Sequence, residues 1–202
     1  KSRSTANPLW VSLGAGGTAS GSVGASGSGV LSPLHWNGAG ADALASNALN
    51  WTGGILPSDG VQVVLGSSAT AKACIWNLAV SLGSMTVLPQ FSSSVVLASS
   101  LTVSGSFEMA AGTLTAAPGL VLRLDGAVRQ TGGRLNLSAS TMTLAGLGGS
   151  IAVSLFDASA QRVVVGGVAA ATATLSGSLA VSSAVHLSAG ARLDLSTGTL
   201  RL

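Results

Sequence analysis

Short alternating runs constrain this chain more than any other feature. From about residue 80, every second residue of successive four- to six-residue stretches is aliphatic, and Gly or Ser breaks each stretch. Examples are SMTVL (84–88), LTVSG (101–105), LVLRLDG (120–126), RLNLS (134–138), RVVVGG (162–167) and ARLDLSTG (191–198). A strand sends successive side chains to opposite faces, so a period of two marks strands with one buried face. The breaks are too short for crossover helices, and the many Gly, Ser and Thr residues disfavour helix in any case. Asn-Gly hairpin signals are missing between these runs, which argues against an antiparallel meander.

Internal repetition separates the remaining folds. LTVSGSFEMAAG (101–112) aligns without a gap with LAVSSAVHLSAG (179–190), pairing Phe107 with Val185 and Glu108 with His186. RLNLSAS (134–140) aligns with RLDLSTG (192–198). Both offsets lie near multiples of roughly 19–20 residues, a length that suits one coil of a parallel β-solenoid. The expected fold is therefore all-β: a parallel β-solenoid (β-helix) with about six coils in residues 80–202, a β-sandwich being the rival. Leu101, Val103, Phe107, Met109, Leu122, Leu124, Leu135, Leu137, Leu193 and Leu195 are expected inside. Glu108, Arg123, Asp125, Arg134, His186, Arg192 and Asp194 are expected outside, with Arg123/Asp125 and Arg192/Asp194 as same-face neighbours.

Residues 1–79 differ in character. All four tryptophans (Trp10, Trp36, Trp51, Trp76) and Pro8, Pro33 and Pro57 fall here. Residues 1–35 include GAGGTASGSVGASGSG (14–29), which reads as a flexible linker or a donated strand. Residues 36–79 read as a Trp-rich cap or first coil. A solenoid exposes an apolar core and unpaired strand edges at its ends, so Trp36, Trp51 and Trp76 would supply covering area while Gly53, Gly54 and Pro57 turn the chain. Exposed tryptophans would instead make a carbohydrate platform.

The segment WNGAGADALASNALNWTGGILPSDGVQVVLG (36–66) carries a family resemblance. Trp36 with Gly38, Asn50–Trp51, Gly53–Gly54, Pro57, Asp59 and the Cys74/Trp76 strand resemble a module of large bacterial surface and secreted proteins of the autotransporter or adhesin kind. That module often precedes parallel β-helical repeats. Residues 71–87 and 100–115 look like its continuation, and a looser similarity runs to the eight-glycine domain of animal cell-surface proteins. The family usually has Gly-Asp before the first strand, whereas this chain has Asp59–Gly60. The resemblance implies an extracellular β-helix and no particular activity.

Composition narrows function by exclusion. Hydrophobic residues make up 47% of the chain and charged ones 7%, yet Ser, Thr or Gly interrupts every apolar run before it could span a bilayer. Membrane insertion is not expected. The net charge of +3 rests on dispersed basic residues rather than a patch, so nucleic acid is not an expected partner. Cys74 stands alone between Ala73 and Ile75 and reads as a small buried hydrophobe. A chain that begins at Lys1 reads as a mature or excised product.

No catalytic set is visible. Asp42, Asp59, Glu108, Asp125, Asp157 and Asp194 are too dispersed for paired-carboxylate hydrolysis, and no Asp-x-Asp offers a calcium site. His35 and His186 are too few for a zinc site or a triad. LGAGGTASG (13–21) lacks the lysine of a phosphate loop. No enzyme, cofactor or metal is expected. Asn50-Trp-Thr and Asn136-Leu-Ser match the glycosylation pattern.

The expected function is structural: an extracellular or cell-surface module of a fibre, filament or adhesin, with a glycan-binding or glycan-processing β-helix as the alternative. ARLDLSTGTLRL (191–202) keeps the strand alternation to its last residue, which would leave Leu200 and Leu202 on an open edge. The expected partner is a neighbouring repeat of a longer chain, or a second copy docked head to tail.

Overall fold

The computed structural model describes residues 32–66, 72–146, 149–166 and 171–202. Trp10 and the Gly/Ser-rich residues 14–29 lie outside them. Among the described residues are fifteen strands and two single-turn 3-10 helices. Every ladder between strands is parallel, and from β2 to β11 successive strands belong to different ladders. The chain runs along face 1, turns to face 2, turns to face 3, and returns one rung higher. About six turns are completed.

Face 1 stacks β1 (Leu34–Trp36), β2 (Gln62–Leu65), β5 (Ser84–Val87), β8 (Phe107–Met109) and β11 (Val128–Gln130). Face 2 stacks β3 (Cys74–Trp76), β6 (Ser94–Leu97) and β9 (Thr113–Ala116), and face 3 stacks β4 (Ser81–Leu82), β7 (Leu101–Val103) and β10 (Val121–Leu124). In the later coils the corners no longer interrupt the strands. β12 (Arg134–Leu144) covers faces 2 and 3, and β13 (Ser150–Val165) and β14 (Thr172–Leu187) each cover all three. β15 (Arg192–Arg201) lies on β14 along faces 1 and 2.

Alternation supplies the core. On face 3, Leu82, Val103, Leu124, Leu144, Val165 and Leu187 stand one above the next, 20 to 22 residues apart. All but Leu187 are buried. Face 2 stacks Cys74, Val95, Leu114, Leu135, Ala158, Leu179 and Leu200 in the same way. Eight of the ten expected inward residues are fully buried; Leu193 is only partly so, and Leu195 is 40% exposed. Both belong to β15, which has a ladder partner on one side only.

The sequence matches at 101/179 and 134/192 do not mark equivalent coil positions. Leu101 stands on face 3 and Leu179 on face 2, while Arg134 stands on face 2 and Arg192 on face 1. What recurs in sequence is one strand with its turn, about a third of a coil. Strands on all three faces obey the same inward/outward alternation, so they align with one another whichever face they serve. The true coil is a little longer than the expected 19–20 residues.

Corners are set by backbone contact. Gly60, Gly83, Gly105 and Gly126 occupy the turn from face 3 to face 1 in four consecutive coils. A Cβ on Gly83, Gly105 or Gly126 would run into the carbonyl oxygen of the glycine one coil below. No side chain fits between these rungs.

Candidate functional site

The three described tryptophans meet inside the first coils. Trp36 and Trp51 are edge to face with centroids 5.1 Å apart, and Trp51 and Trp76 repeat the arrangement at 6.4 Å. The Trp36 indole N–H donates to the Lys72 carbonyl at 3.0 Å, and that of Trp51 to the Ala45 carbonyl at 2.8 Å. The Trp76 N–H has no partner among the described residues. Exposure of the three is 0–1%. A ring without an accessible face cannot stack on a sugar, so these residues form no carbohydrate platform.

Trp51 also changes the ladder. It bridges Trp36 antiparallel, on the edge of β1 opposite β2, and the Asn37 and Gly38 N–H groups donate to the Asn50 carbonyl. The segment that contains the two short helices, Ala48–Asn50 and Thr52–Gly54, therefore lies along the free edge of the first rung. Asn50 is fully buried beneath it. Its amide nitrogen donates to Asp42 and to the Leu44 carbonyl, and its oxygen accepts from Gly40 N–H. An amide so enclosed is no glycosylation acceptor. Asn136, the other match, stands on the outer side of face 2 and accepts from Ser138 N–H and the Ser159 hydroxyl.

The remaining motif residues are structural in the same sense. Asp42 accepts from the Asn47 side chain and from Leu44 N–H, and these bonds hold its carboxyl below the ordinary range. Asp59 accepts from Ser81 N–H at 2.7 Å, tying one coil to the next. The Cys74 thiol is buried, and desolvation pushes its pKa up to about 12.

The ionisable residues of the coils follow the expected sorting with one exception. Glu108, Arg134, His186 and Arg192 are exposed, and Arg123 and Asp194 are partly so. Asp125 is buried instead, with Arg123 Nε 2.7 Å from its carboxylate. It sits at the start of the glycine corner, covered beside its same-face neighbour Arg123. Glu108 and His186, aligned in sequence, point outward from different faces.

Two hollows on face 1 flank the exposed Arg129. One of about 190 Å³ is bounded by Thr86, Pro89, Glu108 and Thr131, the other of about 330 Å³ by Ala152, Ser154, Thr174 and Ser176. Each offers at most one carboxylate. Among the described residues, no three His, Cys, Asp or Glu side chains gather as a metal site, and no helix is long and apolar enough to cross a membrane.

One feature of the outer surface escaped the sequence reading. Phe156, in the corner between faces 1 and 2, is 66% exposed in the middle of the solenoid. The adjacent apolar pair Leu155–Phe156 breaks the strand alternation and is the signal that could have exposed it. Of the two residues proposed as an assembly edge, Leu200 pairs with Leu179 and is half-covered by the core, and Leu202 is exposed.

No protein-family model, curated protein or solved structure matches this chain.

Proposed function

We propose that the chain is a structural β-solenoid module of an extracellular or cell-surface protein, related to the bacterial adhesin-like proteins that its Trp-Asn-Gly…Asn-Trp-x-Gly-Gly…Pro segment resembles. The observation that carries this reading is the continuity of one apolar interior from Trp36 to Leu200 beneath an outer surface of Ser, Thr and Gly with few charges. Eight rungs on face 1 make a rod of roughly 35 Å at about 4.8 Å per rung. Such a rod spans distance without requiring a catalytic cleft.

The proposed partner is a further coil, either of a longer chain or of a second copy stacked head to tail. Leu187 stands over the buried Val165 on face 3 of β14, and Leu195 follows the aliphatic alternation of β15, yet they are 46% and 40% exposed. A further parallel coil, laid on β15 along faces 1 and 2 and on β14 along face 3, would cover them and satisfy the free backbone groups of both strands.

Antibody labelling and protease shaving of intact source cells test the location. The expected result is full accessibility without permeabilisation; signal only after permeabilisation would refute it. Turnover of acidic polysaccharides by the purified chain would favour a glycan-processing enzyme over a structural module.

A further inference from the structure

We propose that the corner of β13 is a glycan-binding site, with Phe156 as its stacking surface and the Asp157/Arg134 pair as its hydroxyl-recognising group. The corner is built from inside. Gln130 continues an inward column that consists of Trp36, Leu65, Val87 and Met109 in the four coils below. It is a buried amide where those coils place apolar side chains. Its hydrogen bonds run to the corner backbone. The oxygen accepts from Phe156 N–H at 3.3 Å, and the nitrogen donates to the carbonyls of Asp157 and Gly133 at 2.9 and 3.0 Å. A buried amide requires such partners, so Gln130 and the corner specify each other.

Held in this way, the chain inserts a bulge. Between the paired residues Leu155/Gly177 and Ala158/Leu179, β13 has Phe156 and Asp157 where β14 has Ser178 alone. Bulges re-aim side chains, and here the result is a projecting ring. The coil below presents Gly132 and Gly133 at this corner and the coil above presents Gly177. Phe156 is thus a lone aromatic among small corner residues, Thr131, Gly132 and Gly133 below and Gly177 and Ser178 above, whereas Trp36, Trp51, Trp76, Phe91 and Phe107 are all buried.

The polar neighbours complete the chemistry. Arg134 Nε lies 3.7 Å from an Asp157 carboxylate oxygen, and both side chains are more than half exposed. A carboxylate accepts from two hydroxyls, and a guanidinium donates through a planar fork. A sugar ring has matching parts, an apolar C–H face for the phenyl ring and an edge of hydroxyls for the ion pair. A protein partner would draw on a wider apolar surround, and the flanking corner residues here are Gly, Ser and Thr. The corner backbone is fixed before binding, which lowers the ordering cost.

Affinity electrophoresis of the full chain through gels containing β-glucan, mannan, xylan or galactan, with polygalacturonate as the acidic probe, tests this. At least one neutral polysaccharide should retard the wild type. F156A should abolish the retardation with an unchanged melting temperature, because the ring is exposed. D157N and R134Q should each weaken binding roughly tenfold, as loss of one anchor does. Q130L should weaken it while keeping Phe156 in the chain, and F156A alone decides if Q130L does not fold. Absence of retardation by every probe, or equal retardation of F156A, would overturn the proposal. So would an effect of F156A confined to self-association in light scattering, which would make the corner a protein contact. None of these outcomes depends on where the protein resides in its source.

Discussion

Removing the Trp51 side chain should open the first coils and leave the later ones folded. Trp51 is buried, touches both other described tryptophans edge to face and donates to the Ala45 carbonyl. Truncating a buried Trp to Ala costs about 3–5 kcal/mol, and two aromatic partners with a satisfied N–H place W51A toward the upper end. Each coil touches only its neighbours, so this loss is not shared along the stack. Amides of β1, β2 and β3 should therefore exchange faster by roughly two to three and a half orders of magnitude, at about 1.4 kcal/mol per tenfold. Those of β9 and β10 should keep wild-type protection. W51F retains one aromatic ring but loses the N–H donor and part of the buried indole volume, and should cost less than W51A. Hydrogen exchange with mass spectrometry reads both variants. Uniform acceleration along the chain, or a W51A effect below about 1 kcal/mol, would refute the idea that Trp51 closes the first rung.

Other expectations follow from the same contacts. G105A puts a Cβ into the carbonyl oxygen of Gly83 and should cost about 1–3 kcal/mol, seen as a melting temperature several degrees lower. Cys74 should resist a thiol reagent at pH 8 until the chain unfolds. Its raised pKa stabilises the fold below the ordinary 9.0, and this contribution should fade as pH rises from 9 toward 12, measured by denaturant titration against C74A. Asp42 has a lowered pKa, so its contribution is present above the ordinary 3.8 and lost as pH falls below it. Melting curves between pH 5 and 2.5 should show a flatter acid limb for D42N.

The solenoid was legible because alternation is local and the ladder repeats it. Leu101, Val103, Leu122 and Leu124 declare their orientation through immediate neighbours alone, and the structure buries all four. Which rung lies on which was not legible. Strands on three faces share one pattern, so Arg134 and Arg192 align in sequence although different faces carry them. Leu195 misleads for another reason: its sequence alternation is intact, but β15 slips its register against β14 between Asp194 and Thr197, and Leu195 falls in the slip. The Asp125 carboxylate follows Leu124 as an outward residue would and pairs with its same-face neighbour Arg123, but it is covered there, which the alternation does not announce. The buried tryptophans were readable as large apolar area; their packing against one another depends on the antiparallel bridge at Trp51, which no periodicity announces.

Corners, rather than faces, are where this fold admits chemical variety. On a face, an outward position stands between residues one coil above and one below, spaced by the strand separation of about 4.8 Å, so large side chains crowd each other and Ser, Thr and Ala fill most places. At the turn from face 3 to face 1, stacked glycines exclude any side chain, because each would meet the carbonyl oxygen of the coil below. The turn from face 1 to face 2 differs in the sixth coil. There a bulge stands where neighbouring coils turn through Gly133 and Gly177, and two large side chains, Phe156 and Asp157, project where those coils carry only Gly, Ser or Thr. The inward cost is a buried polar group, and Gln130 meets it with hydrogen bonds to the displaced backbone. A Gln inside an apolar column opposite an unpaired Phe at a corner is then a physical signature of an outward site on a regular solenoid. It can be sought in any coil whose registry slips by one residue.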